Sequence, residues 1–181
     1  MFTEKTIEQN TVYSGHIVNV RLDAAEIMDG TKAMREVVEH PGGVCIVPLD
    51  AAGSFYCVRQ FRYPMGQQVL EFPAGKLEYG EDPAACARRE LKEETGLTAG
   101  QLVHLGSMYP SPGYLAEVIH LYLALDLQQG NAAPDEGEFL SVERYTRANL
   151  LDMVQHGKLP DAKTTVGLFR TIQYVDTVSK D

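Results

Sequence analysis

GKLEYGEDPAACARRELKEETGL, Gly75 to Leu97, is the stretch from which the fold and chemistry of this chain are read. Asp82-Pro83 is a helix start: the carboxylate caps an orphan backbone N–H, and proline suits the first helical position. Gly96 is a helix stop, because glycine readily takes the left-handed conformation that ends a helix. Between them the spacing predicts a helix of roughly three to four turns. At about 100° per residue, Ala84, Ala87 and Leu91 share one face suited to close packing on a sheet. Glu90, Glu93 and Glu94 share a neighbouring face, within about 100° of arc. Arg89 and Glu93 lie one turn apart and can pair. Glu90 and Glu94, also one turn apart, then project side by side. Two carboxylates held that way suit Mg²⁺ or Mn²⁺, hard cations that take oxygen ligands. The loop Pro73-Ala74-Gly75 approaches the same place and offers a backbone carbonyl. The bland alternative is a solvated acidic helix face, the usual fate of a charge run.

Working outward, 181 residues fit one domain with a real core. Hydrophobic residues at 44% and charged residues at 23% are ordinary globular usage. No segment is apolar for the length of a membrane span. The first ten residues, MFTEKTIEQN, are polar and acidic, unlike a signal peptide. Cys45, Cys57 and Cys86 show no CxxC spacing and read as reduced packing residues. The expected location is cytoplasmic, with no membrane partner. A net charge of −9 argues against nucleic-acid binding, which wants a basic face.

Along the chain, Thr3 to Gln9 alternates weakly as a strand. Ile17 to Met28 and Lys32 to His40 read as strands around a hairpin turn at Asp29-Gly30. Gly43 to Pro48 (GVCIVP) is a buried strand, and Phe55 to Arg62 alternates as a half-buried one. Val69 to Phe72, Gln101 to Tyr109, Val118 to Leu125 and Phe139 to Tyr145 are further strands. Arg147 to Gln155 and Ala162 to Val178 read as helices, with breaks at Gly157 and Pro160. This order predicts an α/β (α+β) fold, a mixed central sheet between helical layers. Residues 1–40 are expected as a small N-terminal antiparallel sheet and residues 41–181 as the main domain.

The spacing Gly75, Glu81, Arg89-Glu90-Leu91, Glu93-Glu94, Gly96-Leu97 resembles the Nudix box, G-x5-E-x7-R-E-U-x-E-E-x-G-U with U aliphatic. No fixed position departs from it, and a chance match in a chain this long is on the order of 10⁻⁷. The resemblance implies the αβα Nudix fold and metal-dependent hydrolysis of a nucleoside diphosphate linked to another group. The flanks narrow it. Arg59-Gln60-Phe61-Arg62, Glu71-Phe72-Pro73-Ala74-Gly75 and Tyr109-Pro110-Ser111-Pro112-Gly113-Tyr114 with Glu117 resemble the ADP-ribose pyrophosphatase branch. So does Gly157-Lys158 with Asp161-Ala162-Lys163-Thr164. The implied reaction is hydrolysis of ADP-ribose to AMP and ribose 5-phosphate. The substrate is itself anionic, and bound metal reconciles it with an acidic chain.

The same resemblance implies site residues. The Ala74 carbonyl with Glu90 and Glu94 would hold Mg²⁺ (or Mn²⁺), and Glu93 and Glu81 complete or orient the cluster, with Arg89 beside them. Arg59 and Glu71 fall where the family holds the diphosphate and terminal ribose. Gly113 and Glu117 fall near the substrate sugar. Arg35 matches a position that touches substrate, across a dimer interface in some relatives. The base is expected from the acidic loop Pro134-Asp135-Glu136-Gly137-Glu138, with Glu138 first and Glu136 second. For each the alternative is a plain surface role. The family implies a homodimer with exchanged N-terminal sheets.

The chain has no tryptophan, whereas some relatives stack adenine between aromatic rings of the N-terminal sheet. GDP-mannose or another nucleotide sugar is therefore a competing substrate. A third option, cleansing of oxidised nucleoside triphosphates, fits poorly with the flanking elements. From another class, the alternative is a non-catalytic module that binds ADP-ribose. Such modules usually lose box carboxylates, and this chain keeps them.

Overall fold

A computed structural model of the protein describes residues 2–133 and 139–178. They form β1 (Lys5–Glu8), β2 (Thr11–Ser14), β3 (Asn19–Glu26), β4 (Lys32–Glu39), β5 (Gly43–Pro48) and β6 (Ser54–Arg62). A 3-10 turn at Tyr63–Met65 leads to β7 (Gln67–Glu71), β8 (Ala74–Lys76) and the helix α1 (Pro83–Thr95). Then come β9 (Leu97–Met108), β10 (Ile119–Gln129), β11 (Leu140–Thr146), α2 (Arg147–Gln155) and α3 (Ala162–Val178). The chain divides into two compact units. One holds the residues up to Gly42 and Tyr109–Val118; the other holds Gly43–Met108 and the chain from Ile119 onward.

In the first unit β3 is the centre of an antiparallel sheet. It pairs with β4 along its whole length, from Asn19↔Glu39 to Glu26↔Lys32. β1 and β2 each pair with part of it. The hairpin turns where the sequence predicts, with Asp29 accepting from the Thr31 amide at 2.9 Å. Val38 of β4 links the second segment: its amide donates to Tyr114 O at 2.8 Å, and its carbonyl accepts from Ala116 at 2.9 Å.

The second unit is the αβα sandwich. Its mixed sheet runs β8-β5-β10-β9, with β5 and β10 parallel and the other pairs antiparallel. Every residue of β5 is buried, so both faces must be covered. The two-residue strand period does the sorting. Val44 and Ile46 join Cys86, Ala87 and Leu91 of α1, while Cys45 and Val47 join Leu150 of α2 and Leu168 of α3. A second sheet, β11-β6-β7, is antiparallel and adds Phe55, Cys57 and Leu70 to the latter core.

Two strands lie outside the sequence expectation. β2 is exposed at all four positions and shows no burial period. β8 is three residues long and exists through its pairing with β5. All three cysteines are free and buried. Burial pushes the Cys57 and Cys86 thiols up to about 12, which keeps them protonated packing groups. Among the described residues no helix is long and apolar enough to cross a membrane.

Candidate active site

The site begins with the ends of α1. Asp82 accepts from the Ala85 amide at 2.9 Å, and the Gly96 amide closes the other end on Lys92 O at 2.8 Å. Fixed ends fix which way each glutamate points. Arg89 is the hub of the polar face. Its Nε and Nη2 donate to the two oxygens of Glu81 at 3.0 and 3.1 Å. Its Nη1 donates to Glu90 at 2.7 Å and to Glu93 at 2.9 Å. The helical period gives the Arg89–Glu93 pair; the Arg89–Glu90 contact departs from the expectation, because a long guanidinium can turn back on its own neighbour. Hydrogen bonding from Arg89, then from the Glu78 amide, holds the Glu81 carboxyl down at about 2. The Arg89 cation thus sits among three carboxylates and offsets their mutual repulsion.

β8 closes this face from the sheet side. The Ala74 amide donates to Glu94 Oε2 at 3.1 Å, and Glu94 is buried. A Cβ placed on Gly75 would lie 1.8 Å from Glu90 Cδ. The missing side chain of Gly75 is therefore the space that the Glu90 carboxyl fills. Gly75 and Glu90 are separated by fifteen positions in the motif, and contact is the physical reason for their pairing.

A second charged cluster surrounds Glu71, which is 1% exposed. Arg62 grips both its oxygens at 2.7 Å, and Lys163 donates to it as well. Lys163 also reaches Asp161 at 3.0 Å, and Asp161 caps α3 by accepting from Thr164 N at 2.9 Å. Burial alone would lower the Lys163 pKa, but Asp161 and Glu71 outweigh it and the ammonium is favoured. Burial likewise opposes the Glu71 charge, and the Arg62 hydrogen bond and Lys163 outweigh it. Arg62, Glu71, Asp161 and Lys163 line a pocket with Pro64 and Met65. The partners of Glu71 were not singled out from sequence. Lys163 is 92 positions away, and the only signal was the Asp161-Ala162-Lys163-Thr164 resemblance.

Arg59 lies on β6 and donates to Glu143 of β11 at 2.6 and 3.2 Å. That bond and Tyr145 hold Glu143 below the usual carboxylate range. Arg35, Gly113 and Glu117 belong to the first unit. Arg35 makes a two-pronged pair with Glu4 at 2.9 and 2.7 Å. A side chain at Gly113 would meet nothing. Glu117 lies 3.5 Å from His40 Nδ1. Glu136 and Glu138 lie outside the described residues.

Among the described residues no three His, Cys, Asp or Glu side chains are gathered as a metal-ligand set. The fit to a divalent cation rests instead on donor chemistry and on the cradle. Every side-chain donor on this face of α1 is a carboxylate oxygen, Gly75 leaves room for Glu90, and the Ala74 amide fixes Glu94. Such a set suits a hard cation.

Comparison with known proteins finds a family and relatives for this chain. The NUDIX domain matches residues 39–165. The chain is 38% identical over 167 residues to an ADP-ribose pyrophosphatase of Bacillus subtilis, covering 91% of this chain and 90% of that protein. It is 38% identical over 170 residues to a methanol dehydrogenase activator of Bacillus methanolicus, covering 93% and 92%. A GDP-mannose pyrophosphatase of Shigella flexneri is 33% identical over 142 residues, covering 73% and 74%. A solved structure described as an ADP compounds hydrolase superposes with a TM-score of 0.86 at 23% identity, covering 99% of this chain and 97% of that one. That likeness speaks for the fold.

Proposed function

The chain belongs to the Nudix family, and on that premise we propose that it hydrolyses the diphosphate of ADP-ribose to AMP and ribose 5-phosphate with Mg²⁺. The observation that carries this reading is the Glu90 and Glu94 face of α1, with Gly75 making room for one and Ala74 N–H fixing the other. The ADP-ribose pyrophosphatase relative, which spans nearly the whole chain, supports the substrate.

Glu90, Glu94 and the Ala74 carbonyl would hold the metal, with Glu93 and Glu81 beside them; Mn²⁺ suits the same donors. Bound divalent metal supplies positive charge against the phosphates and a water of lowered pKa. Arg89 locks the rotamers of Glu81, Glu90 and Glu93, so that these groups need not reorganise when substrate arrives. Arg59 binds the diphosphate by exchanging the Glu143 carboxylate for phosphate oxygens, which accept the same guanidinium fork. Glu71 acts through the two cations it orients, Arg62 and Lys163. Glu138, or failing it Glu136, accepts the proton of the attacking water. The roles of Arg35, Gly113 and Glu117 rest on the family resemblance alone.

The protein works as a homodimer in the cytoplasm in our reading. The sheet of residues 1–40, read as the subdomain exchanged between subunits, leaves Ile7, Val12, Tyr13 and Met34 exposed, and the thiols are reduced. Residues 41–181 form the hydrolase domain. A second substrate, GDP-mannose, is favoured by the GDP-mannose pyrophosphatase relatives and by the lack of tryptophan.

The test is nucleotide release with Mg²⁺ from ADP-ribose beside ADP-glucose, GDP-mannose, NADH, diadenosine polyphosphates and 8-oxo-dGTP. Dominant AMP release from ADP-ribose is expected. Turnover of another member alone would replace the substrate and keep the chemistry. Silence throughout, with ADP-ribose still bound, would favour a non-catalytic module.

A further inference from the structure

β9 and β10 are antiparallel, with Tyr122 opposite His104 and His120 opposite Ser107. A regular ladder continued from the Tyr122–His104 pair would set Gly106 opposite His120. One extra residue on β9 sets Ser107 there instead. Gly106 carries this bulge at φ 91°. Arg170 of α3 pins it, donating to Leu105 O at 3.0 Å and to Ser107 O at 3.2 Å. The bulge is thus anchored from outside the strand pair. It brings the Ser107 hydroxyl to 3.0 Å from His120 Nδ1. The His104 ring lies 6.2 Å from the His120 ring and 5.1 Å from Tyr122, centroid to centroid.

We propose that His104 and His120 are the protein ligands of a site for a borderline transition cation of the Zn²⁺ class, built by the Gly106 bulge and chemically distinct from the carboxylate face of α1. A cation about 2.1 Å from one nitrogen of each ring at a tetrahedral angle sets two imidazole centroids roughly 5.2 Å apart; the rings stand 6.2 Å apart, so the exposed His104 ring closes by about 1 Å on binding. When His120 Nδ1–H donates to Ser107 Oγ, Nε2 keeps its lone pair for the metal. Metal-binding imidazoles usually have such an outer partner, which fixes tautomer and ring orientation. Burial, and then the neighbouring His104, lower the pKa of His120 and favour its neutral, ligating form. His104 is exposed, so water can complete the coordination. Imidazole nitrogen suits Zn²⁺, Ni²⁺ and Cu²⁺, whereas carboxylate suits Mg²⁺. With Mg²⁺ in excess one protein can therefore hold both kinds of cation. Tyr122 reaches from this pair into the core beneath α1. A cation here would cross-link the two strands on which that helix rests.

The test is a Zn²⁺ titration of the whole protein in excess Mg²⁺, following the ring resonances of its five histidines by ¹⁵N–¹H NMR. His104 and His120 are expected to shift together with one midpoint, at which His16, His40 and His156 are unmoved. His104 is exposed, so His104→Gln should leave the far-UV circular dichroism unchanged; it should raise the apparent Kd at least about tenfold. Ser107→Ala keeps both ligands and should raise it about tenfold through the lost outer partner. A common midpoint for all five histidines would overturn the site. So would Zn²⁺ affinity unchanged in His104→Gln, or no shift of the pair up to millimolar Zn²⁺. Hydrolysis is not the readout, so the outcome does not depend on the substrate.

Discussion

Gly75→Ala puts a single methyl group where the Glu90 carboxyl lies. The new Cβ would stand 1.8 Å from Cδ and 1.9 Å from Oε1 of Glu90. Non-bonded carbons sit at about 3.5–4.0 Å, so the carboxyl must move by roughly 2 Å. Gly75 is not in the left-handed region, so the conflict is steric and not conformational. Glu90 is a flexible side chain on a well-capped helix, and it yields before the backbone does. Its bond to Arg89 is then lost, and partial exposure of that pair keeps the stability cost near about 1 kcal/mol. The effect on catalysis is much larger, since a 1 Å misplacement of a positioned group costs about 10²-fold. We expect kcat/KM for ADP-ribose to fall by at least about 10²-fold, or roughly 2.7 kcal/mol. The urea midpoint should change little. Steady-state AMP release and urea denaturation on the same preparation measure both. A folded Gly75→Ala enzyme within threefold of wild type would refute the placement of Glu90 at the reacting centre.

Glu94→Gln should keep the fold and lose essentially all turnover; wild-type rates would remove Glu94 from the metal site. Glu138→Gln should lower kcat by about 10²–10⁴-fold with little change in KM, and an unaffected kcat would move the base to Glu136. Lys163→Ala leaves the buried Glu71 with Arg62 alone, at an expected cost of about 3 kcal/mol by chemical denaturation; a loss under about 0.5 kcal/mol would show that Arg62 suffices. The folded pKa of Glu81, about 2, lies below its ordinary 4.5. Its stabilisation is therefore present above about pH 4.5 and disappears as pH falls toward 2. Urea midpoints between pH 6 and pH 2.5 should fall less steeply in Glu81→Gln than in wild type, and parallel curves would contradict the Arg89 assignment.

Much of the fold was legible because its signals are local. Asp82-Pro83 and Gly96 bound α1 by hydrogen-bond chemistry alone, and GVCIVP reads as a strand covered on both faces. The carboxylates of α1 follow from helical period. What was not legible depends on contacts distant in sequence. β8 forms on β5, some thirty positions earlier in the chain. The bidentate clasp of Arg62 on Glu71 spans nine positions across a strand turn, and Lys163 comes from another helix. Arg89 was read as a partner of Glu93, whereas it serves three carboxylates because β8 and the turn before α1 bring Glu81 within reach. Period and capping give direction along one element; they carry no information on what the next element brings to it.

The end of α1 also fixes something beyond the helix. Gly130 N–H donates to Gly96 O at 2.9 Å, and Ala133 N–H donates to Glu93 O at 3.0 Å. Both bonds run from backbone to backbone, and the close approach needs Gly96 to have no side chain, since a Cβ there would lie 2.6 Å from Ala132 N. The stretch that continues past Ala133 thus starts from a mount whose position does not depend on its own composition. Such a mount is a natural exchange point. Segments of different length could be grafted after Ala133, with Glu138 kept in them, while the helix that carries Glu90 and Glu94 stays as it is.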